Sequence, residues 1–445
     1  MNSKPDVIVI GAGIAGLAAA SRLGQGGLSV LLLEARERIG GRIWTQMDSS
    51  AGHAIEFGAE FIHGFPPEIW QPLQEAGEKP EEVEGDSWCV DDRLCPCKFF
   101  DQIDGILQKM NDRKPDESFL EFLNRTVPPS SDPKKESVRR HALGYVSGFN
   151  AADPALVGVH WLVKGMRAEE LIDGQRAFRS GKGYEDLLAI FHKRVLESGV
   201  QVRSQMVVET IDWSAANASV TANSNEGAFK ATAPCVIVTL PLAVLKAPAG
   251  SLGAVRFIPA LPPEKYAAIE RLEMGKVIRV VFQFRQKFWA TLSPMERKTL
   301  GRMSFLFSQD EWFPTWWTAM PSEAPIITGW APFESAERLS GQSRSFVIER
   351  GLRSLSELLG ISFEEIEALL VEAFFHDWQA DPFSRGAYSY GKVNADGAQE
   401  RLAKPVQNTL FFAGEATDTA GHNGTVHGAI ATGYRAAEEI LRGRN

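Results

Sequence analysis

The chain has 445 residues but lacks any apolar run of about 18 residues, the length that a transmembrane helix requires, so we expect no membrane span. Its first residues lead directly into an apolar strand, without the basic and apolar regions of a secretion signal. Cysteines are also few. They are Cys89, Cys95, Cys97 and Cys235. Their number and spacing predict neither a disulfide framework nor a metal site, so we expect reduced, structural cysteines in a cytoplasmic protein.

Positive charge is scarce, because 47 Lys and Arg residues are outnumbered by 56 Asp and Glu residues, which gives a net charge of -9. Nucleic-acid binding needs clustered basic residues, and this balance argues against such a partner. An acidic chain suits a cationic ligand, although net charge alone does not identify one. The apolar fraction of 44% and the charged fraction of 23% are typical of a globular protein, and the length predicts two domains.

The most informative motif is a glycine-rich turn between a short apolar strand and a helix. It contains Gly11, Gly13 and Gly16, and a second apolar run after the helix ends in Glu34. Gly11 permits the tight turn, Gly13 lets the backbone approach a pyrophosphate, and Gly16 lets the helix pack closely on the strand. The helix N-terminus favours bound phosphates, and Glu34 can accept the hydroxyls of an adenosine ribose. We predict a bound dinucleotide, because a turn without a ligand would leave Glu34 unexplained.

Apolar periodicity predicts the main helices and strands. Helices are predicted at 119–127, 185–198, 343–359, 363–374 and 424–441. Strands are predicted at 200–208, 236–240, 278–284 and 409–413. Residues 278–284 alternate between apolar and polar, as in a half-buried antiparallel strand. The β-α-β start and the strand–helix finish enclose a large mixed insert, so we expect the two chain ends to build one domain and the insert another.

Four further motifs carry a family likeness. They are Ala35–Arg42 (ARERIGGR), Gly58–Gly64 (GAEFIHG), Phe411–Thr417 (FFAGEAT) and Gly424–Ala429 (GTVHGA). In this order, over nearly the whole chain, they resemble the FAD-dependent amine oxidases, a family that includes monoamine oxidases, polyamine oxidases and flavin-type histone demethylases. The Ile-His-Gly and Thr-x-His-Gly patterns are most similar to those of spermine and acetylpolyamine oxidases.

The resemblance implies an α/β fold with a Rossmann-like FAD-binding domain and a discontinuous α+β substrate-binding domain, in the topology shared by amine oxidases and p-hydroxybenzoate hydroxylase. We assign residues 1–77, 183–265 and 386–445 to the first domain, and residues 78–182 and 266–385 to the second. Monoamine oxidases attach their flavin to a cysteine where this chain has Ala387, so FAD is expected to be held non-covalently.

The same resemblance implies the reaction and its small-molecule partners. An amine substrate would lose hydride from its C–N bond to flavin N5, giving an imine that water hydrolyses. Dioxygen would then reoxidise the flavin and yield hydrogen peroxide. The protein would supply orientation and electrostatics, and the flavin the difficult step.

Several residues would contact FAD by this resemblance. Arg42 can offset the charge of the pyrophosphate or of the reduced flavin. Gly58 is small enough for backbone contact with a flat ring, and the N–H groups that begin the last helix would point at the pyrimidine end of the flavin. Val208 matches the position whose backbone holds adenine, although the pattern fits an ordinary strand valine nearly as well. The predicted cofactor-binding residues are Gly11, Gly13, Ile14, Ala15, Gly16, Glu34, Ala35, Arg36, Gly41, Arg42, Gly58, Ala59, Glu60, Phe61, Val208, Trp378, Gly414, Glu415, Thr425, Val426 and Ala429.

The resemblance also supplies four candidate catalytic residues. They are Lys276, Tyr388, His63 and Thr425. Lys276 would hold a water against flavin N5, which requires a desolvated amine, whereas a lysine at a strand entry is usually solvated. Tyr388 would lie on the substrate side of the ring and Trp378 against the flavin, or both are core aromatics. His63 would be a neutral acceptor for the substrate amine, or merely structural. Thr425 stands where monoamine oxidases have a second cage tyrosine.

Glu60 has two equally weighted interpretations, because its carboxylate can help to select a cation or can cap a backbone segment. The leading hypothesis for function is a polyamine oxidase, and the main alternative is an oxidase of another amine, such as an aromatic monoamine. An L-amino acid oxidase is disfavoured, because no arginine follows Gly58 and Ala59 closely enough to clamp a carboxylate. A demethylase-like or scaffold protein is disfavoured, because the chain has no long helical insertion and keeps Lys276 and Glu415.

Overall fold

A parallel sheet built from both ends of the chain forms the centre of the first domain. The computed structural model describes residues 4–48, 52–91, 93–296 and 298–444. The order of the strands is Gln201–Arg203, Val30–Leu33, Val7–Ile10, Cys235–Val238 and Leu410–Phe412. The three inner strands are apolar nearly throughout because both faces of the sheet are covered. This sheet confirms the predicted α/β, Rossmann-like fold.

Helices cover one face of the parallel sheet. The first helix, Ile14–Gln25, packs between the last helix, Val426–Arg442, and Glu185–Glu197. A side chain at Gly433 would overlap the carbonyl oxygen of Ala15, so glycine allows the first and last helices to approach closely.

An antiparallel layer covers the other face of the parallel sheet. Its strands are ordered Gly227–Ala233, Asn217–Ser224, Val207–Ser214 and Arg256–Ile258, the last pairing in parallel. Successive side chains of a strand point to opposite faces. Ile8 and Ile10 therefore pack towards this layer, while Val7 and Val9 pack towards the helices.

A larger, mostly antiparallel sheet forms the second domain. Its strands are ordered Leu370–Phe375, Val277–Phe284, Ile326–Pro332, Thr315–Thr318, Met303–Ser308, Asp86–Val90 and Leu94–Pro96. All of them fall within the segments assigned to the substrate domain, although the exact domain boundaries stay a prediction. Its core includes Trp88, Trp289 and Trp316, which are almost completely buried.

The remaining elements connect these sheets. The other strands are Thr45–Met47, Ala54–Glu56, Ile62–His63, Glu81–Glu82, Ala177–Arg179, Leu272–Met274 and Ser389–Gly391. The other α-helices are Pro67–Glu75, Phe99–Leu107, Phe119–Thr126, Pro133–Gly148, Val159–Leu171, Leu242–Leu245, Pro263–Arg271, Glu334–Leu339, Arg344–Leu359, Phe363–Leu369 and Ala398–Ala403. Short 3-10 turns lie at Phe288–Thr291, Leu300–Arg302 and Glu415–Thr417.

Two predicted elements prove to be composite. The strand predicted at 200–208 is two strands, because the chain turns at Gln205, whose φ of 58° is left-handed. The first part joins the parallel sheet and the second the antiparallel layer. The helix predicted at 363–374 ends at Leu369, and Leu370–Phe375 pairs instead with the neighbouring strand of the large sheet. Tertiary pairing outweighs local periodicity there.

The strand predicted to be half-buried is buried on both faces. All residues of Val277–Phe284 are inaccessible, because helices and neighbouring loops cover the sheet. Its polar members have partners, since the Nε2 of Gln283 donates to Asp48 at 3.0 Å and Arg279 bonds to Gly58. The alternation in the sequence therefore marks buried polar contacts rather than a solvent face.

The cysteine prediction is wrong in one respect. Cys89 and Cys97 form a disulfide, whereas Cys95 and Cys235 are free. The hairpin of Asp86–Val90 and Leu94–Pro96 brings the bonded pair together, which sequence spacing did not reveal. In the described ranges, no helix has the length and apolarity to span a membrane. The same residues contain no group of three or more His, Cys, Asp or Glu suited to a metal.

Candidate active site

The glycine turn lies at the carboxyl end of the first strand, where open α/β sheets bind ligands. Gly11 has a φ of 100°, and a side chain at Gly16 would overlap the Gly11 carbonyl oxygen. Both positions therefore require glycine. Gly13 precedes the helix without a side-chain cap, so the first N–H groups of the helix, including that of Ile14, are not used by a cap. Uncapped N–H groups at this place fit a pyrophosphate.

Glu34 is buried beside this turn. Its Oε2 accepts from the backbone N–H of Ala12 at 2.7 Å, and its Oε1 accepts from the N–H of Arg36 at 2.9 Å. The N–H of Met206 donates to the Glu34 carbonyl at 2.8 Å, which draws the segment leading to Val208 alongside. The geometry is compatible with the adenosine contacts predicted for Glu34 and Val208, which stay predictions.

The side chain of Arg36 is engaged between the domains. Its Nη2 lies 2.7 Å from the Oδ1 of Asp381 and 3.0 Å from the Oγ of Ser384. Asp381 also contacts the Nε2 of His376 at 2.9 Å. The backbone N–H of Arg36 is bonded as well, to Glu34, so the predicted contact of Arg36 with the cofactor stays a prediction.

Arg42 and Glu415 join motifs that are far apart in the sequence. The Nη1 of Arg42 donates to the Oε1 of Glu415 at 2.8 Å and to the carbonyl of Ala387 at 2.7 Å. The Oε2 of Glu415 accepts from the Oγ of Ser389 at 2.6 Å and from the N–H of Gly424 at 3.0 Å. The predicted cation and carboxylate thus form one buried, connected surface.

The start of the last helix is capped by Thr425. Its Oγ1 accepts from the N–H of Gly428 at 3.0 Å and donates to the carbonyl of His422 at 2.7 Å. This hydroxyl is occupied by backbone groups, so the contacts are those of a helix cap rather than of a catalytic group. The N–H of Ala429 is bound within the helix, and that of Gly414 donates to the Oγ1 of Thr432 at 2.9 Å.

The segment expected to contact the flavin ring lies against Trp378. A side chain at Gly58 would overlap the Arg42 carbonyl and lie 3.4 Å from the Trp378 ring. Ala59 donates its N–H to the same carbonyl at 3.2 Å. Trp378 is buried, with its Nε1 donating to the carbonyl of Phe57 at 2.7 Å. These close approaches, together with the uncapped helix start, fit FAD, which when bound supplies a two-electron acceptor.

Tyr388 and His63 both contact Phe149. The Tyr388 ring packs on Gly424, and its hydroxyl donates to the carbonyl of Phe149 at 2.7 Å. The ring of His63 lies 5.6 Å from that of Phe149 in an edge-on arrangement. Burial lowers the pKa of His63, although a backbone hydrogen bond at Gly174 opposes the shift, so the imidazole is neutral at physiological pH.

Two further histidines, to which the sequence analysis gave no role, lie near His63. The rings of His422 and His427 are 4.7 Å apart. Burial, with smaller contributions from His422 and His63, lowers the pKa of His427 to about 3. His427 lies within the Gly424–Ala429 motif and His422 lies two residues before it, so the sequence already placed both histidines next to a predicted site segment.

Lys276 does not have the environment that its expected role requires. Its side chain is 45% exposed, and its Nζ lies 2.5 Å from the Oε1 of Glu337, which is equally exposed. The residue precedes the buried strand and lies outside its covered faces, so its amine is not desolvated by burial. The solvated strand end is therefore the correct interpretation of Lys276.

The buried cation of this strand is Arg279, which belongs to a group that we call the Glu60 cluster. It consists of Glu60, Arg179, Arg279 and Trp317. The Glu60 carboxylate accepts from the Nη2 of Arg179 at 2.5 Å, from the Nε1 of Trp317 at 2.9 Å, and from the Nη2 of Arg279. Arg279 also donates from Nη1 to the carbonyl of Gly58 at 2.7 Å.

The charges of the Glu60 cluster correct both sequence interpretations of Glu60. Burial by itself would raise the pKa of Glu60, but the charges of Arg179 and Arg279 outweigh it and lower that pKa. Both carboxylate oxygens are occupied, so Glu60 neither caps a backbone segment nor presents an unpaired charge to a substrate. A charged residue inside an apolar strand, as in Ile278-Arg279-Val280, was the available signal for this cluster.

A family model for flavin-containing amine oxidoreductases matches residues 14–90 and 104–441. The chain therefore belongs to the flavin-containing amine oxidoreductase family. It is an oxidoreductase that acts on amine donors and uses FAD as its cofactor.

Curated relatives match almost the whole chain at low identity. Polyamine oxidase 4 of Oryza sativa subsp. japonica is 28% identical over 460 residues, covering 99% of this chain and 89% of the relative. Lysine-specific histone demethylase 1 homolog 2 of Arabidopsis thaliana is 28% identical over 482 residues, but this chain spans only 59% of its length.

Solved structures share the fold. Putrescine oxidase bound to putrescine has a TM-score of 0.81 at 22% identity, with 99% of each chain covered. Cyclohexylamine oxidase from Brevibacterium oxydans IH-35A has a TM-score of 0.78 at 20% identity, covering 99% of this chain and 100% of the other.

Proposed function

We propose that this protein is an oxidase that cleaves a C–N bond of a polyamine. The amine would give up hydride to FAD and become an imine, which hydrolyses to an aldehyde and a smaller amine. Dioxygen would be the terminal oxidant and hydrogen peroxide its product. The observation that most supports this proposal is that Tyr388 and His63 both contact Phe149, which groups two aromatic rings with an imidazole.

This group of Tyr388, Phe149 and His63 has the chemistry that a polyamine needs. The reacting nitrogen must be neutral, because an ammonium resists loss of hydride from its carbon. The neutral imidazole of His63 can accept a hydrogen bond from that nitrogen. The other nitrogens of a polyamine stay cationic, and the aromatic faces of Tyr388 and Phe149 attract cations. The similarity to a plant polyamine oxidase supports the same substrate class.

A second candidate is an amine with a single nitrogen and an apolar body. The observation that favours it is the ring cluster next to His63, where Phe61 lies 5.7 Å from Phe305 and 5.5 Å from Trp317. Glu60 lies behind these rings with its carboxylate fully occupied, so it offers no counter-charge to a distal ammonium. The cyclohexylamine oxidase neighbour shows that the same fold is found in an enzyme named for such an amine.

Hydrogen peroxide release decides between the two candidates. The purified yellow protein is given spermine, spermidine, their acetylated forms, putrescine, cyclohexylamine and benzylamine. We expect kcat/KM for at least one polyamine to exceed that of every monoamine by about tenfold, which corresponds to about 1.4 kcal/mol of transition-state stabilisation. A monoamine preference would overturn the polyamine proposal and support the second candidate. Peroxide from none of these amines would overturn both.

A His63→Phe variant tests the role proposed for the imidazole. Phenylalanine keeps a ring to pack against Phe149 but has no hydrogen-bond acceptor. We expect kcat/KM for the best amine to fall about tenfold or more, a typical loss when a positioned proton acceptor is removed. The absorbance of bound FAD should stay at the parent level. Unchanged kcat/KM would remove His63 from the reaction.

A further inference from the structure

The Glu60 cluster carries more positive than negative charge. Arg179 and Arg279 are cations, and Glu60 is the only carboxylate that bonds to them among the described residues. Glu56 lies close by, but its carboxyl group bonds to the N–H of Tyr184 and to the hydroxyl of Thr45 rather than to either guanidinium. The cluster therefore pairs two guanidinium groups with one carboxylate, and none of these three side chains is more than 12% exposed.

The excess positive charge indicates that a group with negative charge binds next to the Glu60 cluster. A buried cation without a counter-charge is costly, and proteins retain one where something of opposite charge is bound. The Nε atoms of Arg179 and Arg279 are buried and have no hydrogen-bond partner in the described part of the chain. The side chain of Arg279 is 4% exposed, so bulk water and counter-ions do not neutralise it.

The position of Arg279 indicates that this group is the flavin ring. Its Nη1 donates to the carbonyl of Gly58, the residue whose backbone is expected to contact the flavin ring. The ring of Trp378 also lies next to Gly58. A flavin ring gains negative charge when it is reduced. A fixed cation in a dry site interacts strongly with charge that develops beside it.

We propose that Arg279, held in place by Glu60 and Arg179, is the permanent cation that stabilises negative charge on the reduced flavin. The proposal rests on FAD as the cofactor and on the predicted contact between Gly58 and the ring. Glu60 and Arg179 act as positioning residues, because they reach the cofactor only through Arg279.

The midpoint potential of bound FAD tests the proposal without any amine. The holoprotein is equilibrated anaerobically with reference dyes, and Arg279→Gln is compared with the parent. We expect the ratio of reduced to oxidised FAD at a fixed potential to fall about tenfold, which is about 30 mV for a two-electron couple. Arg353→Gln is the matched control, because it also removes an arginine charge, from a residue that pairs with Glu349 at 2.8 Å on an exposed helix face. The control should keep the parent's potential.

Arg279→Lys provides an independent arm in case the glutamine variant loses FAD. A lysine keeps the charge near neutral pH, but burial lowers its pKa. We expect its potential to follow the parent at about pH 6 and to drop below it at about pH 9, where a buried amine is neutral. A potential that equals the parent's in Arg279→Gln would overturn the proposal. If that variant cannot be loaded with FAD, a lysine variant whose potential lies about 30 mV or more below the parent's at pH 6, where its amine is charged, would overturn it, because retained charge would then not preserve the potential.

These outcomes are independent of the substrate. A negative result for Arg279 would leave amine oxidation intact, since no amine is present in the measurement. Conversely, a chain that oxidises none of the amines can still show the expected shift in potential.

Discussion

The Nη1 of Arg42 and the Oε1 of Glu415 lie 2.8 Å apart, and this ion pair closes the two ends of the chain around one site. Arg42 follows the glycine turn region, whereas Glu415 follows the last strand of the parallel sheet. The carboxylate also accepts hydrogen bonds from Ser389 and Gly424, so it organises four segments at once. The pair therefore connects cofactor binding to the stability of the first domain.

Glu415→Gln should weaken both properties. The amide keeps one acceptor but loses the charge that pairs with Arg42, and its NH₂ group faces donors at Ser389 and Gly424. We expect the free energy of unfolding to fall by about 1–3 kcal/mol, as for the loss of buried charge-assisted hydrogen bonds, and FAD to dissociate faster. Urea unfolding and FAD fluorescence after gel filtration measure the two effects. Glu438→Gln, which weakens a partly exposed pair with Arg22, is the control and should cost less than about 1 kcal/mol. Equal losses in the two variants would contradict this assignment.

Gly16→Ala should separate close packing from ordinary helix stability. The new methyl group would overlap the Gly11 carbonyl oxygen and lie 3.3 Å from the Oγ1 of Thr239, so the helix must shift away from the strand. We expect a loss of about 1–3 kcal/mol and weaker FAD retention.

Gly144→Ala is the matched control for this change. Gly144 lies inside the helix Pro133–Gly148, and a side chain there meets nothing within 4 Å. The alanine should stabilise the protein by about 0.5–1 kcal/mol and leave FAD bound. If Gly16→Ala behaved like Gly144→Ala in thermal unfolding and in FAD content, the turn would not need its glycine.

Lys276→Met should have little effect on the flavin. Lys276 is exposed and pairs with Glu337 on the surface, and such pairs contribute about 0–1 kcal/mol. Anaerobic stopped-flow measurement of flavin reduction by the best amine should give a rate within about twofold of the parent, a difference of less than about 0.5 kcal/mol. A loss of tenfold or more would restore the catalytic role first expected for this lysine.

The fold could be predicted largely because its signals are local and redundant. The glycine turn, Glu34 and the closing strand and helix each constrain the same parallel sheet, and their burial agrees with their apolar composition. The motif residues at Arg42 and Glu415 also meet in space as a shared site requires. The glycine turn and the buried strands depend on backbone conformation and on neighbouring residues in the sequence, and residue type and apolar periodicity indicate both.

The errors concern residues whose environment is set by distant partners. Lys276 and Arg279 are three positions apart on one segment, and only the packing of Gly58 and Glu60 against the strand decides which cation is buried. The same is true of Leu370–Phe375, which becomes a strand because another strand lies beside it. The partners that decide these cases lie hundreds of positions away or on a different element, beyond the reach of local periodicity.

The pH dependence of stability should report on Glu56. Burial raises its pKa in the folded protein to about 8, whereas the ordinary value is 4.5. Between these two values the folded state binds more protons than the unfolded state, so this carboxyl makes stability fall as the pH rises from about 4.5 to about 8. Its contribution is fully present below that window and lost above it.

Glu56→Gln should remove this contribution. Glutamine can still accept from the N–H of Tyr184 and can donate to the hydroxyl of Thr45, which now lie 2.7 and 2.8 Å from the carboxyl oxygens. We expect the variant to match the parent near pH 5 and to be more stable at pH 8 by roughly 2–4 kcal/mol, because a tenfold change in a proton-binding constant between the unfolded and folded states corresponds to about 1.4 kcal/mol. Urea unfolding from pH 5 to pH 9 measures the difference. Glu349→Gln, on an exposed helix face, should keep the parent's pH profile. Parallel profiles for Glu56→Gln and the parent would mean that Glu56 is ionised in the folded protein, and the positive charge of the Glu60 cluster would then be balanced from within.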